Sequence, residues 1–208
     1  MSGIELGVLW IAWILGGASP GPATLALVGT AMRHGRRPAL ALASGIVLGS
    51  SIWGIAAGLG LGALMMAEAW VVEALRYLGV AYILWLAFRS LSSALDARPL
   101  SESRGLRSPS AGRAFVAGLL LHLTNPKAIF SWGAVFAVAV PAGAGPATIF
   151  GVWLFLLTGS ALVFFGYALA FSRDGMMARY QAARRWIEGA FGVLFGGAAI
   201  ALLSARPA

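Results

Sequence analysis

Ser19-Pro20-Gly21-Pro22-Ala23 stands about halfway along an apolar run at residues 4–32, and Thr124-Asn125-Pro126-Lys127-Ala128 stands about halfway along another at residues 114–140. A proline inside a helix removes a backbone donor and crowds the carbonyl four residues earlier. Pro20, Pro22 and Pro126 should therefore free the carbonyls of Gly16, Ala18 and His122. Ser19, Gly21 and Asn125 each precede a proline and are pushed out of helical dihedrals as well. Both runs are expected to be helices broken near their middles.

Four further apolar runs, at residues 39–66, 69–95, 147–172 and 186–204, separate and follow these two. Each has about the 20 residues that cross a hydrocarbon layer. Hydrophobic residues make up 60% and charged residues 11% of the 208, against about 45–50% and 25% in a soluble domain. The reading is one all-α integral membrane domain, 1–208, of about six transmembrane helices. The formal charge of +8 would suggest nucleic acid in a soluble chain. Here twelve of the fifteen basic residues fall in three connections with their flanks: Arg33, Arg36, Arg37; Arg89, Arg98, Arg104, Arg107, Arg113; and Arg173, Arg179, Arg184, Arg185. Basic residues near helix ends are held in the cytoplasm, so these connections are cytoplasmic, both termini are periplasmic, and no nucleic-acid partner is expected. The N-terminus lacks a basic signal-peptide region, and the first run is read as a retained helix.

Three helices per half require that an internal repeat be inverted in the membrane. Repeat one is assigned to residues 1–95, a cytoplasmic connection to 96–113 and repeat two to 114–208. The paired breaks carry this assignment, supported by Gly45-Ile46-Val47-Leu48 against Gly151-Val152-Trp153-Leu154. Matched helix breaks in two inverted halves point to a transporter's central site, because irregular backbone at that depth must be buried or line a wet cavity. A half-helix N-terminus suits a carboxylate, and freed carbonyls suit an ammonium group. Lys127 adds a full cation at a cost of about 2.5–3.5 kcal/mol at mid-membrane. It is expected to face the cavity and meet either a substrate carboxylate or the carbonyls of the opposite break. Asn125 either contacts substrate or caps its half-helix. Pro20, Gly21, Pro22, Asn125 and Lys127 are the candidate substrate-binding residues.

These segments carry a resemblance. Ser19-Pro20-Gly21-Pro22 followed by Arg33-His34-Gly35-Arg36-Arg37 and Gly45 to Gly49, then Leu75-Arg76-Tyr77-Leu78-Gly79, then Leu123-Thr124-Asn125-Pro126-Lys127-Ala128, resemble the LysE/RhtB family of amino-acid exporters. The likeness implies export of an amino acid or related zwitterion in exchange for protons. Ala23, Arg76 and His122 stand where many members have Asn, Lys and Asn. Glu5, Glu68, Glu73 and Glu188 all lie near the ends of the apolar runs, so no carboxylate is read as a proton carrier. His122 is the group with a near-neutral ordinary pKa beside the second break and takes that candidacy. Arg76 lies three residues after Glu73, on one helix face, and the two are candidates for an ion pair at an outer gate.

Small-xxx-small spacings at Gly45/Gly49, Gly54/Gly58, Gly58/Gly62 and Gly192/Gly196 permit close helix packing, within the protomer or across a homodimer. Trp10, Trp13, Trp70, Tyr77 and Trp186 read as membrane-interface anchors. Cysteine is absent, which excludes thiol redox chemistry and cysteine-held metals. No metal-ligand spacing, nucleophile elbow or phosphate loop is present, so neither an enzyme nor a cofactor is expected. An ion channel or cation transporter of the same architecture, and a non-transporting membrane scaffold, remain alternatives at this level.

Overall fold

The structure, a computed structural model, describes residues 3–67, 77, 80–81, 84–85, 87–88, 90–95, 110–141 and 144–204. Its named elements are helices: α1 (Gly3–Ala18), α2 (Pro22–His34), α3 (Arg36–Ala67), α4 (Ala111–Leu123), α5 (Pro126–Ala139), α6 (Pro146–Ala170) and α7 (Met176–Ser204). Among the described residues there is no strand. Most of the third expected span lies outside them, and those described between 77 and 95 are helical.

Both breaks fall where the prolines require. Pro22 and Pro126 each occupy the first turn of a new helix, where a missing N–H is harmless. Across the first break the axes of Leu6–Ala18 and Pro22–His34 bend by 61°, and the pair is long and apolar enough to cross a membrane as one broken span. Arg36–Gly60 and Pro146–Ala170 meet the same test unbroken, while Ala111–Leu123 and Pro126–Ala139 are shorter apolar helices. This is the architecture of an integral membrane α protein. Leu59, Phe88, Val193 and Trp186 are strongly exposed, as side chains facing lipid would be. Gly35, with φ of +76°, turns the chain from α2 into α3 while its N–H bonds the Ala31 carbonyl at 3.0 Å.

The helices approach through glycine. α3 and α4 make the most extensive contact among the described elements. There a Cβ on Gly45 would collide with the Phe115 carbonyl oxygen, and one on Gly118 with that of Leu42. A Cβ on Gly54 would lie 2.6 Å from the Trp153 ring, and one on Gly58 2.7 Å from Ile149. Gly45, Gly54 and Gly58 of α3 thus pack against other helices inside the protomer, whereas a Cβ on Gly196 would meet nothing within 4 Å. Around them Leu27, Leu42, Ile46, Val163 and Phe164 join α2, α3 and α6 in one apolar core.

The last helix departs from expectation. Residues 173–185 were expected as a connection, yet α7 begins at Met176. Residues 176–185 hold no proline or glycine and are rich in Met, Ala, Gln and Arg, all good helix formers. The helix therefore continues out of the apolar run through its arginines. Glu188, near the start of the apolar run, thus lies three turns inside a helix and is buried at 3% exposure.

Candidate functional site

The two breaks meet. Lys127, in the first turn of α5, reaches across to the opposite break, where its Nζ donates to the Ser19 carbonyl at 2.9 Å and to the Ser19 hydroxyl. Ser19 Oγ in turn donates to the Gly16 carbonyl at 2.8 Å. A cation on one broken helix thus neutralises the partial negative charge on the end of the other half-helix. Gly21, N-cap of α2, faces the lysine: a Cβ there would sit 3.7 Å from Lys127 Cδ and 3.8 Å from Nζ. Its N–H donates to Thr24 Oγ1 at 2.8 Å, and the first-turn N–H groups of Ala23 and Thr24, like those of any helix start, have no acceptor in their own helix.

Each of the three carbonyls freed by proline accepts a hydrogen bond from a donor inside the protein. Ser19 Oγ takes Gly16, Tyr167 Oη donates to Ala18 at 2.7 Å, and the Asn125 N–H donates to His122 at 3.1 Å. Each orphan acceptor found a donor within the protein, as a site at this depth demands. Tyr167→Phe should therefore strand the Ala18 oxygen and lower stability by about 1–3 kcal/mol. Thermal melting of the purified protein checks this, and an unchanged melting temperature would show the bond to be dispensable.

Asn125 is a cap, its Oδ1 accepting from the Lys127 N–H at 3.1 Å. Together Ser19, Gly21, His122, Asn125 and Lys127 line a cavity of about 210 Å³, smaller than the roughly 300–1,000 Å³ of pockets for drug-sized ligands. Pro20 and Pro22 are not among its walls; they set the shape of the break behind Gly21. His122 is buried, its ring 5.6 Å edge-on from Phe164, and its Nδ1 has no hydrogen-bond partner among the described residues. Glu73 and Arg76 lie outside the described residues.

The far wall is a hydrogen-bonded aromatic belt that the sequence reading missed. Trp13 Nε1 donates to Ser160 Oγ at 3.0 Å, Trp132 Nε1 donates to Ser50 Oγ at 3.0 Å, and the two serine hydroxyls lie 3.3 Å apart. The Trp13 and Trp132 rings meet edge to face at 4.6 Å. Trp13 is thus a cavity wall rather than an interface anchor, because its indole N–H has a buried partner on α6. Trp186 is 81% exposed. No sequence signal tied Ser50 to Ser160, which are brought together only by the packing of α3 on α6.

Residues 14–206 match the family described as LysE type translocator. The threonine efflux protein of Salmonella typhi is 32% identical over 189 residues, covering 90% of this chain and 92% of that protein. The homoserine/homoserine lactone efflux protein of Salmonella typhimurium is 29% identical over 206 residues, covering 96% and 98%. The leucine efflux protein of an Enterobacter species is 32% identical over 192 residues, covering 89% and 88%. No solved structure matches the chain.

Proposed function

The chain belongs to the LysE type translocator family, and from that membership and the meeting of its two breaks we propose that it exports an amino acid or a related small zwitterion across the bacterial inner membrane. The observation that carries this reading is the Lys127 bridge to Ser19. A substrate carboxylate takes the place of the Ser19 oxygens on the Lys127 ammonium, within reach of the first-turn N–H groups of Ala23 and Thr24. Asn125 holds the lysine's turn, and Pro20, Gly21 and Pro22 shape the opposite wall. For the substrate ammonium the cavity offers hydroxyls, those of Ser50, Ser131 and Ser160. The relatives' names supply the first substrates to try: threonine, homoserine and leucine.

The transport cycle we infer is alternating access by two inverted three-helix repeats, residues 1–95 and 114–208, joined by a cytoplasmic connection at 96–113, with both termini periplasmic. In that orientation α1 and α5 are the periplasmic half-helices around the cavity, and α2 and α4 the cytoplasmic ones. The tight α3–α4 contact at Gly45 and Gly118 supports a cytoplasmic side that is closed in this state. Rocking of one repeat on the other would part it. Inward proton movement drives the export, with His122 on the cavity wall and Arg76 with Glu73 as an outer gate.

The test is efflux of labelled threonine, homoserine and leucine from preloaded proteoliposomes, with and without a pH gradient. Gradient-stimulated efflux of at least one of them, absent from protein-free vesicles, supports the reading. Vesicles that release no amino acid but conduct an ion would replace it with the channel alternative.

A further inference from the structure

Glu188 is a carboxylate three turns into α7 and buried at 3% exposure. An ionisable side chain inside a membrane domain is costly and marks function by default once its partners are named. Ser93 Oγ donates to Glu188 Oε1 at 3.1 Å and accepts from Arg184 Nη2 at 2.8 Å. Among the described residues, the charged and titratable groups that act on it are Arg184, one turn earlier on its own helix, Lys127 of α5, Tyr180 of α7 and Tyr167 of α6. Ser90 supplies a further hydrogen bond.

Its place relative to the site is fixed by its neighbours. Phe191 and Phe195 follow on the same face of α7, stacked with centroids 6.0 Å apart, and Phe195 lines the cavity. Ile187, Phe191 and Phe195 pack with Leu15 and Ala18 of α1, so this stretch of α7 lies at the level of the first break. Tyr167, whose hydroxyl holds the Ala18 carbonyl, is itself acted on by Glu188. Among the described residues the cavity walls include no carboxylate, and each carbonyl freed by proline already accepts one hydrogen bond. A proton on His122 would set a second positive charge beside the Lys127 ammonium. Glu188 has the opposite charge to Lys127 and lies one ring stack beyond the wall.

We propose that Glu188 is the group on which the substrate ammonium and the transported proton compete, so that Lys127 and Glu188 receive the two charges of the zwitterion in turn with a proton. This rests on the proton-coupled export proposed above and moves the coupling from His122, and the ammonium's partner from the cavity hydroxyls, to Glu188. In the cytoplasm-facing state a shift of Phe191 opens the ionised carboxylate to the ammonium. In the periplasm-facing state the ammonium leaves and a proton bonds to a carboxylate oxygen, taking the group from −1 to neutral. The protonated, empty carrier returns and releases that proton to the cytoplasm. An empty carrier with Glu188 ionised does not return, which is what ties export to the proton.

The experiment uses the full chain in proteoliposomes and labelled L-threonine, measuring gradient-free exchange against pH and accumulation driven by a pH gradient. Wild type is expected to require more threonine for half-saturation as pH falls. Glu188→Gln is expected to exchange at saturating threonine with a half-saturation concentration about tenfold or more higher, to show no pH dependence, and to accumulate nothing against a gradient. Glu188→Asp keeps the pH dependence. Gradient-driven accumulation by Glu188→Gln, or loss of its exchange at every threonine concentration, overturns the assignment. Wild type that exchanges threonine but ignores the gradient overturns proton coupling itself, and this assignment with it.

Discussion

Lys127→Ala is expected to abolish efflux while leaving the protein at normal abundance. The lysine is the full positive charge at the meeting of the breaks, and its Nζ spans from α5 to the Ser19 oxygens. Loss of one partner of a desolvated charge pair typically costs about 2–5 kcal/mol, which is roughly thirtyfold or more in substrate affinity. Stability is expected to change little. A lysine at mid-membrane costs about 2.5–3.5 kcal/mol, and alanine removes that cost together with the Ser19 bonds, so the two changes offset. Ser19 Oγ keeps its bond to Gly16, and the Asn125 cap needs only the backbone N–H of residue 127. Lys127→Arg should retain part of the activity, since the charge remains but its planar fork does not reproduce a point contact with two Ser19 oxygens. Initial efflux rates normalised to protein, read beside melting temperatures, decide the matter. A scaffold would show the reverse pattern, with a lower melting temperature in the alanine variant and no efflux to lose.

The breaks were legible because proline acts locally: Pro22 and Pro126 define their helix starts from sequence alone. That a lysine beside one break would meet the other also followed, since an intramembrane cation needs a partner and the paired motifs offered one. What happens to the freed carbonyls did not follow. Tyr167 is 149 positions from Ala18, and only the docking of α6 on α1 brings its hydroxyl there. Trp13 was misread for a related reason: an apolar helix looks alike on every face, so cavity wall and lipid face cannot be separated by periodicity. Glu188 lies two residues past the start of the apolar run at Trp186, and its burial against the rest of the fold is what that run did not signal. Hydropathy marks where a membrane could begin, whereas the helix starts where helix formers begin, at Met176.

The largest effect on folding is expected where α3 crosses α4. A Cβ on Gly45 would collide with the Phe115 carbonyl oxygen and lie 2.8 Å from the Leu119 nitrogen, and one on Gly118 would collide with the Leu42 carbonyl and lie 3.2 Å from the Ile46 nitrogen. These are backbone atoms, so no rotamer change relieves the clash and the helices must separate. Separation loosens the most extensive helix contact among the described elements and the core that includes Leu42, Ile46 and Ala114. Gly45→Ala should cost about 1–3 kcal/mol, the usual range for overpacking, and Gly45→Val, with two more methyl groups at the same contact, should yield little folded protein. Gly60 is the control on the same helix: it is exposed and a Cβ there meets nothing within 4 Å. Gly60→Ala should be neutral or gain roughly 0.5–1 kcal/mol from reduced backbone freedom in the unfolded chain. Melting curves of the three variants in one detergent separate close approach from a general intolerance of glycine replacement. If Gly45→Ala melts with wild type, α3 and α4 are not held together by this contact, and the closed cytoplasmic side inferred from it loses its physical basis.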